Sequence, residues 1–374
     1  MRPFHPFEME RWQSTYENRV EYNLSESGVH PMTLRELLDM AGVESVDDTL
    51  LVYGQSNGSD ELRERVAALY RGATEANVVA TNGSAEANFA AVWELVEPGD
   101  EVAIVIPTYA QTIGLARMFG AQVREIPLRE ELGWQPAADD VAAAVTEKTK
   151  LLIITNPNNP TGAVLSPASR AALVAAAARV NAWILADEVY AGAELAGPET
   201  PSFFGEYPRT VATGSLSKAY GLPGLRLGWI VAPSELSPRL WARTDYTTIA
   251  PGTINDRLAV LALSPEVRPK IRARTRSILN GSFRVMEEWI ENAGVFTYRA
   301  PDAGAIVWMR YELPVNSSAL AERLRVEESV LVVPGDHFAM DRYLRIGYGL
   351  LPEHLTVALE RVRRTLETPA KVTV

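Results

Sequence analysis

The sequence predicts an α/β fold: a mainly parallel sheet flanked by helices, with a smaller α+β domain beside it. Short apolar runs at 101–106, 151–155, 183–186 and 210–213 alternate with helix-like stretches, the pattern of parallel strands covered on both faces. Three segments rich in reactive residues each follow directly after such a run, at the strand ends where open α/β sheets bind ligands. The 374 residues are enough for two domains with sizeable cores.

Each element has a local reason. Residues 59–70 read as a helix: Ser59 caps it, Asp60 and Glu61 favour its positive end, and Leu62, Val66 and Leu69 share one face. Residues 84–96 form a second helix, stopped by Glu97-Pro98-Gly99-Asp100. The strand 101–106 ends at Pro107, and a helix over 166–180 separates the strands 151–155 and 183–186. Residues 254–293 read as long helical pattern. Strands at 295–298, 305–309 and 344–346 and a closing helix from Pro352 complete the smaller domain.

Composition excludes several functions. The net charge of -11 argues against nucleic acid as a partner. The absence of cysteine rules out disulfides, thiolate catalysis and Cys-based metal sites. The histidines, His5, His30, His337 and His354, lie far apart, so no metal is expected. No apolar run reaches the ~18 residues of a membrane span, and no signal-peptide core precedes the first helix. A cytoplasmic protein without membrane contact is expected.

The reactive segments are 156–162 (Asn-Pro-Asn-Asn-Pro-Thr-Gly), 186–190 (Ala-Asp-Glu-Val-Tyr) and 214–223 (Gly-Ser-Leu-Ser-Lys-Ala-Tyr-Gly-Leu-Pro), with Arg226 following. A lysine among small hydroxyl residues and glycines suits a Schiff base with phosphate donors close by. Asp187 ends an apolar strand, where an unpartnered carboxylate would be costly. Read singly, Lys218 is also compatible with a surface lysine, Asp187 with a helix cap, Tyr190 and Tyr109 with core aromatics, Asn159 with a turn residue and Arg345 with a salt-bridged strand arginine. No Gly-x-x-x-x-Gly-Lys-Ser/Thr or Gly-x-Ser-x-Gly motif competes.

Together the three segments resemble pyridoxal-phosphate (PLP) enzymes of the class I/II aminotransferase family, fold type I. The resemblance implies a seven-stranded, mainly parallel sheet in a large PLP-binding domain over 46–253. An N-terminal segment, 1–45, joins the small domain, and 254–374 supplies an interdomain helix and the rest of that domain. It implies that Lys218 holds the cofactor aldehyde and moves protons, that Asp187 partners the pyridine nitrogen, that Tyr190 and Asn159 bond the ring oxygen, and that Tyr109 stacks on the ring. The phosphate would lie among Ser215, Ser217, Arg226 and the backbone amides of Ser84 and Ala85, with Gly83 allowing close approach. Tyr53 matches a tyrosine that reaches the neighbouring subunit's phosphate, which implies a homodimer with shared active sites. Arg345 matches the arginine that grips a substrate carboxylate, with Gly28 and Asn159 on the same side. A free L-amino acid is the implied substrate.

The stretches Met9-Glu10-Arg11-Trp12, 27–37 and Asp245-Tyr246-Thr247-Thr248 are similar to the capreomycidine synthases of this fold. Those enzymes eliminate a β-hydroxyl from hydroxyarginine and close the guanidine onto the carbon. That likeness implies an acid facing a guanidinium. Glu10 is the first candidate, Glu8 and Glu26 are others, and His30 would bond the leaving hydroxyl or the carboxylate. Solvated helix acids and a histidine bonded only to backbone are the plainer readings. Elimination followed by addition or cyclisation is expected, with conventional amino-group transfer as the alternative.

Overall fold

The computed structural model describes residues 6–367. Among these, the large sheet is built from β1 (Val78–Thr81), β2 (Glu101–Ile106), β3 (Gln122–Arg129), β4 (Gln135–Pro136), β5 (Thr149–Thr155), β6 (Trp183–Asp187), β7 (Thr210–Ser215) and β8 (Gly228–Val231). Their order is β1-β8-β7-β6-β5-β2-β3-β4. The strands from β7 through β3 run parallel, while β8 is antiparallel to both its neighbours. The strand beyond the expected seven is β4, a two-residue edge antiparallel to β3. It contains Pro136, which lacks the N–H needed to carry the sheet further.

Side chains alternate across the central strands. Ala103, Val105, Leu152 and Ile154 pack on one face with Leu173 and Ala177 of the helix Pro167–Arg179. Val102, Ile104, Leu151 and Ile153 pack on the other with Ala87, Ala90 and Ala91 of the helix Ser84–Leu95. Burial on both faces explains why these strands read as continuous apolar runs.

The helical stretch expected over 254–293 divides into Thr253–Ala262 and Arg268–Ala293. Pro265 lies in the break and Pro269 in the first turn of the second helix, a position where its missing N–H is harmless. The smaller sheet contains β9 (Phe296–Tyr298), β10 (Ile306–Tyr311), β11 (Val333–Pro334) and β12 (Tyr343–Gly347), in the order β9-β10-β12-β11. Among the described residues no helix is long and apolar enough to cross a membrane.

One N-terminal strap links the two sheets. Tyr22–Asn23 pairs in parallel with Val330–Leu331. The strap then runs past the end of β12, where the Gly347 N–H donates to the Leu24 carbonyl at 2.7 Å. Further on, the Val29 N–H donates to the Lys218 carbonyl at 3.3 Å and the Met32 N–H to the Gly221 carbonyl at 2.7 Å. A Cβ on Gly347 would stand 2.0 Å from the Glu26 carbonyl oxygen, so only glycine admits the strap here. Gly347→Ala should therefore lower stability by about 1–3 kcal/mol, read as a reduced denaturation midpoint, and should displace the segment carrying Glu26.

Candidate active site

A cavity of about 400 Å³ opens at the carboxyl ends of the central strands. Thr155 and Asp187, paired across β5 and β6, form part of its floor. Asp187 is 4% exposed. Its carboxylate accepts a hydrogen bond from Asn88 Nδ2 at 2.9 Å and one from the Val189 N–H at 3.3 Å. Burial raises its pKa, and these two donors pull it down. Asn88 is held in turn by Thr213, whose hydroxyl donates to Asn88 Oδ1 at 2.9 Å. No cation pairs with Asp187 among the described residues, so the site fits a protonated ring nitrogen there.

Lys218 follows β7 and points into the same cavity. Its Nζ donates to Glu26 Oε1 at 2.7 Å. The same oxygen accepts the N–H groups of Ser27 at 2.8 Å and Gly28 at 3.0 Å. The Lys218 charge holds the Glu26 carboxyl down at about 2 against the cost of burial. Burial pulls the lysine pKa down, but Glu26 and then Tyr190 more than offset it, and the net shift is upward.

Tyr190, after β6, donates from its hydroxyl to Ser27 Oγ at 2.9 Å and accepts from Asn159 Nδ2 at 3.1 Å. Asn159 Oδ1 accepts from Arg345 Nη1 at 2.9 Å, and Arg345 Nη2 donates to the Ser25 carbonyl at 2.6 Å. Arg345 is 1% exposed, and its Nε is buried without a partner. No carboxylate pairs with this arginine among the described residues, an arrangement that fits an anionic ligand. Tyr109 lines another wall and donates from its hydroxyl to Glu10 Oε2 at 3.1 Å.

The far end is cationic. Ser84 and Ala85 open a twelve-residue helix, whose first N–H groups lack intrahelical partners. Arg226 and Ser217 line the cavity beside them. Gly83 has φ +84°, and a Cβ on it would lie 2.5 Å from Arg226 Nη2. The backbone and the guanidinium can thus converge only because position 83 is glycine. Unpaired helix-end donors, this arginine and Lys218 suit a phosphate-bearing aldehyde.

Some expected residues lie elsewhere. Ser215 stands one layer back, where its Oγ accepts the Ser217 N–H at 3.2 Å. It lines a separate cavity of about 220 Å³ with Glu188. Gly28 is buried against the Lys218 backbone rather than on the cavity wall. Tyr53 is 88% exposed, in an exposed run with Leu50, Leu51 and Val52. His30 is not brought to the cavity: its backbone N–H donates to the Gly349 carbonyl at 2.7 Å, and the charges acting most strongly on its ring are Arg274 and Glu36. Glu8 is exposed and lines an outer groove instead. His5 lies outside the described residues.

The structure also adds residues that the motifs did not signal. Gln13 and Glu17 line the cavity with Met9 and Glu10. The helix Glu8–Tyr16 and its capping residue Glu17 place them along one side. Burial raises the Glu17 pKa, and the charges of Glu26 and Glu10 raise it further. Asn88 was detectable only as a polar residue on an otherwise apolar helix face.

The profile of the aminotransferase class I and II family matches residues 23–362. Capreomycidine synthase of Streptomyces vinaceus is 34% identical over 97% of this chain and 94% of its own length. A PLP-dependent aminotransferase from Streptococcus suis superposes with a TM-score of 0.92 at 32% identity, over 97% of this chain and 98% of that one. The PLP-dependent cyclase OrfR superposes with a TM-score of 0.89 at 26% identity, over 98% of each chain.

Glu188, beside Asp187, yields a pH prediction. Burial pushes its carboxyl from 4.5 up to about 7, against donors from Phe203 and Ser202. Between those values the folded chain keeps a proton that the unfolded chain has lost. Stability should therefore fall by about 3 kcal/mol as pH rises through that window. In Glu188→Gln this component should vanish, as thermal melts on either side of the window would show.

Proposed function

This chain belongs to the aminotransferase class I and II family and is a PLP-dependent enzyme of fold type I, and from that premise we propose that it acts on a free amino acid with a cationic side chain. The observation carrying this reading is the charge left over in the cavity. Glu10, Glu17, Glu26 and Asp187 line it, against Lys218, Arg226 and Arg345. Asp187 would hold the cofactor's ring nitrogen, and Arg226 with Ser217 and the Ser84 and Ala85 amides its phosphate, backed by Gly83 and Ser215. Lys218 would hold the aldehyde carbon. Tyr190 and Asn159 would bond the ring oxygen, and Tyr109 would cover the ring. Arg345 would take the substrate carboxylate. Glu26 is paired with Lys218; Glu10 and Glu17 then remain without cations, and a guanidinium supplies the missing charge and planar donors.

When bound, the cofactor supplies an electron sink beside the substrate Cα. Lys218 would take the Cα proton. The β-hydroxyl would depart with a proton as water. A guanidine nitrogen would then bond to Cβ as it sheds a proton, for which Glu17, with its raised pKa, is a better acceptor than an ordinary carboxylate, and Cα would regain a proton, so that one water is lost overall. Elimination followed by cyclisation on a hydroxylated arginine is the reading we favour, supported by the likeness to capreomycidine synthase and to a PLP-dependent cyclase. Conventional amino-group transfer between an amino acid and a 2-oxo acid is the second reading, favoured by the likeness to the Streptococcus aminotransferase. We further propose a cytoplasmic homodimer. The exposed apolar run at 50–53 suits a subunit interface, and Tyr53 would reach the partner's phosphate.

Incubation with arginine and its hydroxylated derivatives, read by mass spectrometry, should yield a product one water lighter than a hydroxyarginine. No change with any of them, together with amino transfer to a 2-oxo acid, would select the second reading. Lys218→Ala should lose the protein's yellow colour. Glu10→Gln should raise KM for a cationic substrate about 10- to 100-fold, the worth of a hydrogen bond between charged groups. Mixing Lys218→Ala with Tyr53→Phe chains should restore activity above either alone, because one site per mixed dimer is intact.

A further inference from the structure

Glu26 differs from the other acids of the cavity in what it touches. Its Oε1 accepts from two backbone N–H groups of the strap and from Lys218 Nζ at 2.7 Å. Glu10, by contrast, accepts from Tyr109. The strap is fixed on both sides of Glu26, at Leu24 by Gly347 and at Val29 by the Lys218 backbone itself. The carboxylate is thus locked to the peptide that carries the lysine and cannot follow a substrate side chain. A single oxygen held by two amides and an ammonium is organised for a lysine that carries a proton, not for a guanidinium that wants two oxygens in a plane.

We propose that Glu26 is a positioning residue for Lys218, holding the lysine as an ammonium between its removal of the substrate Cα proton and its delivery of that proton. In the forward step the neutral amine takes the proton and the C–H electron pair stays with carbon. The ammonium then rests on Glu26 Oε1. In elimination the proton passes to the departing hydroxyl as the C–O bond breaks with its pair, which gives water. The remaining charged groups around the lysine are Tyr190 and Asp187 from the end of β6, Arg345 from β12 and Glu17 from the N-terminal helix. None of these is within ion-pair distance of the lysine; among the described residues only Glu26 is. The inference rests on the assignment of Lys218 but not on the substrate.

Two measurements on Glu26→Gln test it, since glutamine keeps an acceptor for the Ser27 and Gly28 amides and removes the charge. The first uses cofactor-free protein and follows colour formation on adding PLP across pH. Only the neutral amine captures the aldehyde, so losing the carboxylate should shift the rate profile by about one pH unit toward acid. The second follows loss of the Cα proton of arginine in heavy water by NMR, a step shared by elimination and transamination. It should slow about tenfold, the low end for a proton-transfer partner. Glu26→Asp, which keeps the charge on a shorter arm, should fall between wild type and Glu26→Gln in both. An unmoved loading profile, or an exchange rate equal to wild type, overturns the proposal. A wild-type chain that takes up no PLP overturns the Lys218 assignment and this inference together. Failure to cyclise hydroxyarginine leaves Glu26 in place and removes only the reaction reading.

Discussion

A carboxylate buried at the end of a central strand, with amide donors but no paired cation among the described residues, is the constraint on which this molecule turns. Asp187 keeps Asn88 and the Val189 N–H as partners, and burial still raises its pKa. Such a group is tolerable only where something positive is to be bound opposite it. The parallel sheet sets the distances. Thr155 and Thr213 flank Asp187 in register, so the loops carrying Asn159, Tyr190 and Lys218 leave the same edge side by side. The cavity is therefore a property of the strand order as much as of its lining.

Much of this was legible in the chain. The strands β2, β5, β6 and β7 announce themselves because they are apolar on both faces. The residues after them stand out because glycines, prolines and hydroxyl groups crowd around a lysine and an aspartate. Other elements were silent for physical reasons. β3 exposes Gln122, Arg124 and Glu125 and contains Pro127, so its sequence looks like a loop. β8 has only four residues. β4 exists because a neighbour offers it an edge.

The acids were the hardest part to sort. Glu8, Glu10, Glu17 and Glu26 look alike in sequence. Their roles depend on helix phase and on the path of the strap, neither of which one sequence resolves. The turn of the first helix carries Glu10 and Glu17 inward and leaves Glu8 outside. The path of the strap brings Glu26 to the lysine. His30 shows the converse: three residues past Ser27, its backbone is tied to Gly349 and it does not line the cavity.

The surplus of acids in the cavity bears on metabolism as well as on fit. A transaminase must admit an amino acid and then a 2-oxo acid to one pocket, and in one direction or the other that pair can carry an acidic side chain. Here such a side chain would enter beside Glu10 and Glu17, where like charges repel it. The cyclisation proposed above begins and ends on one molecule and would need no second amino acid to reset it.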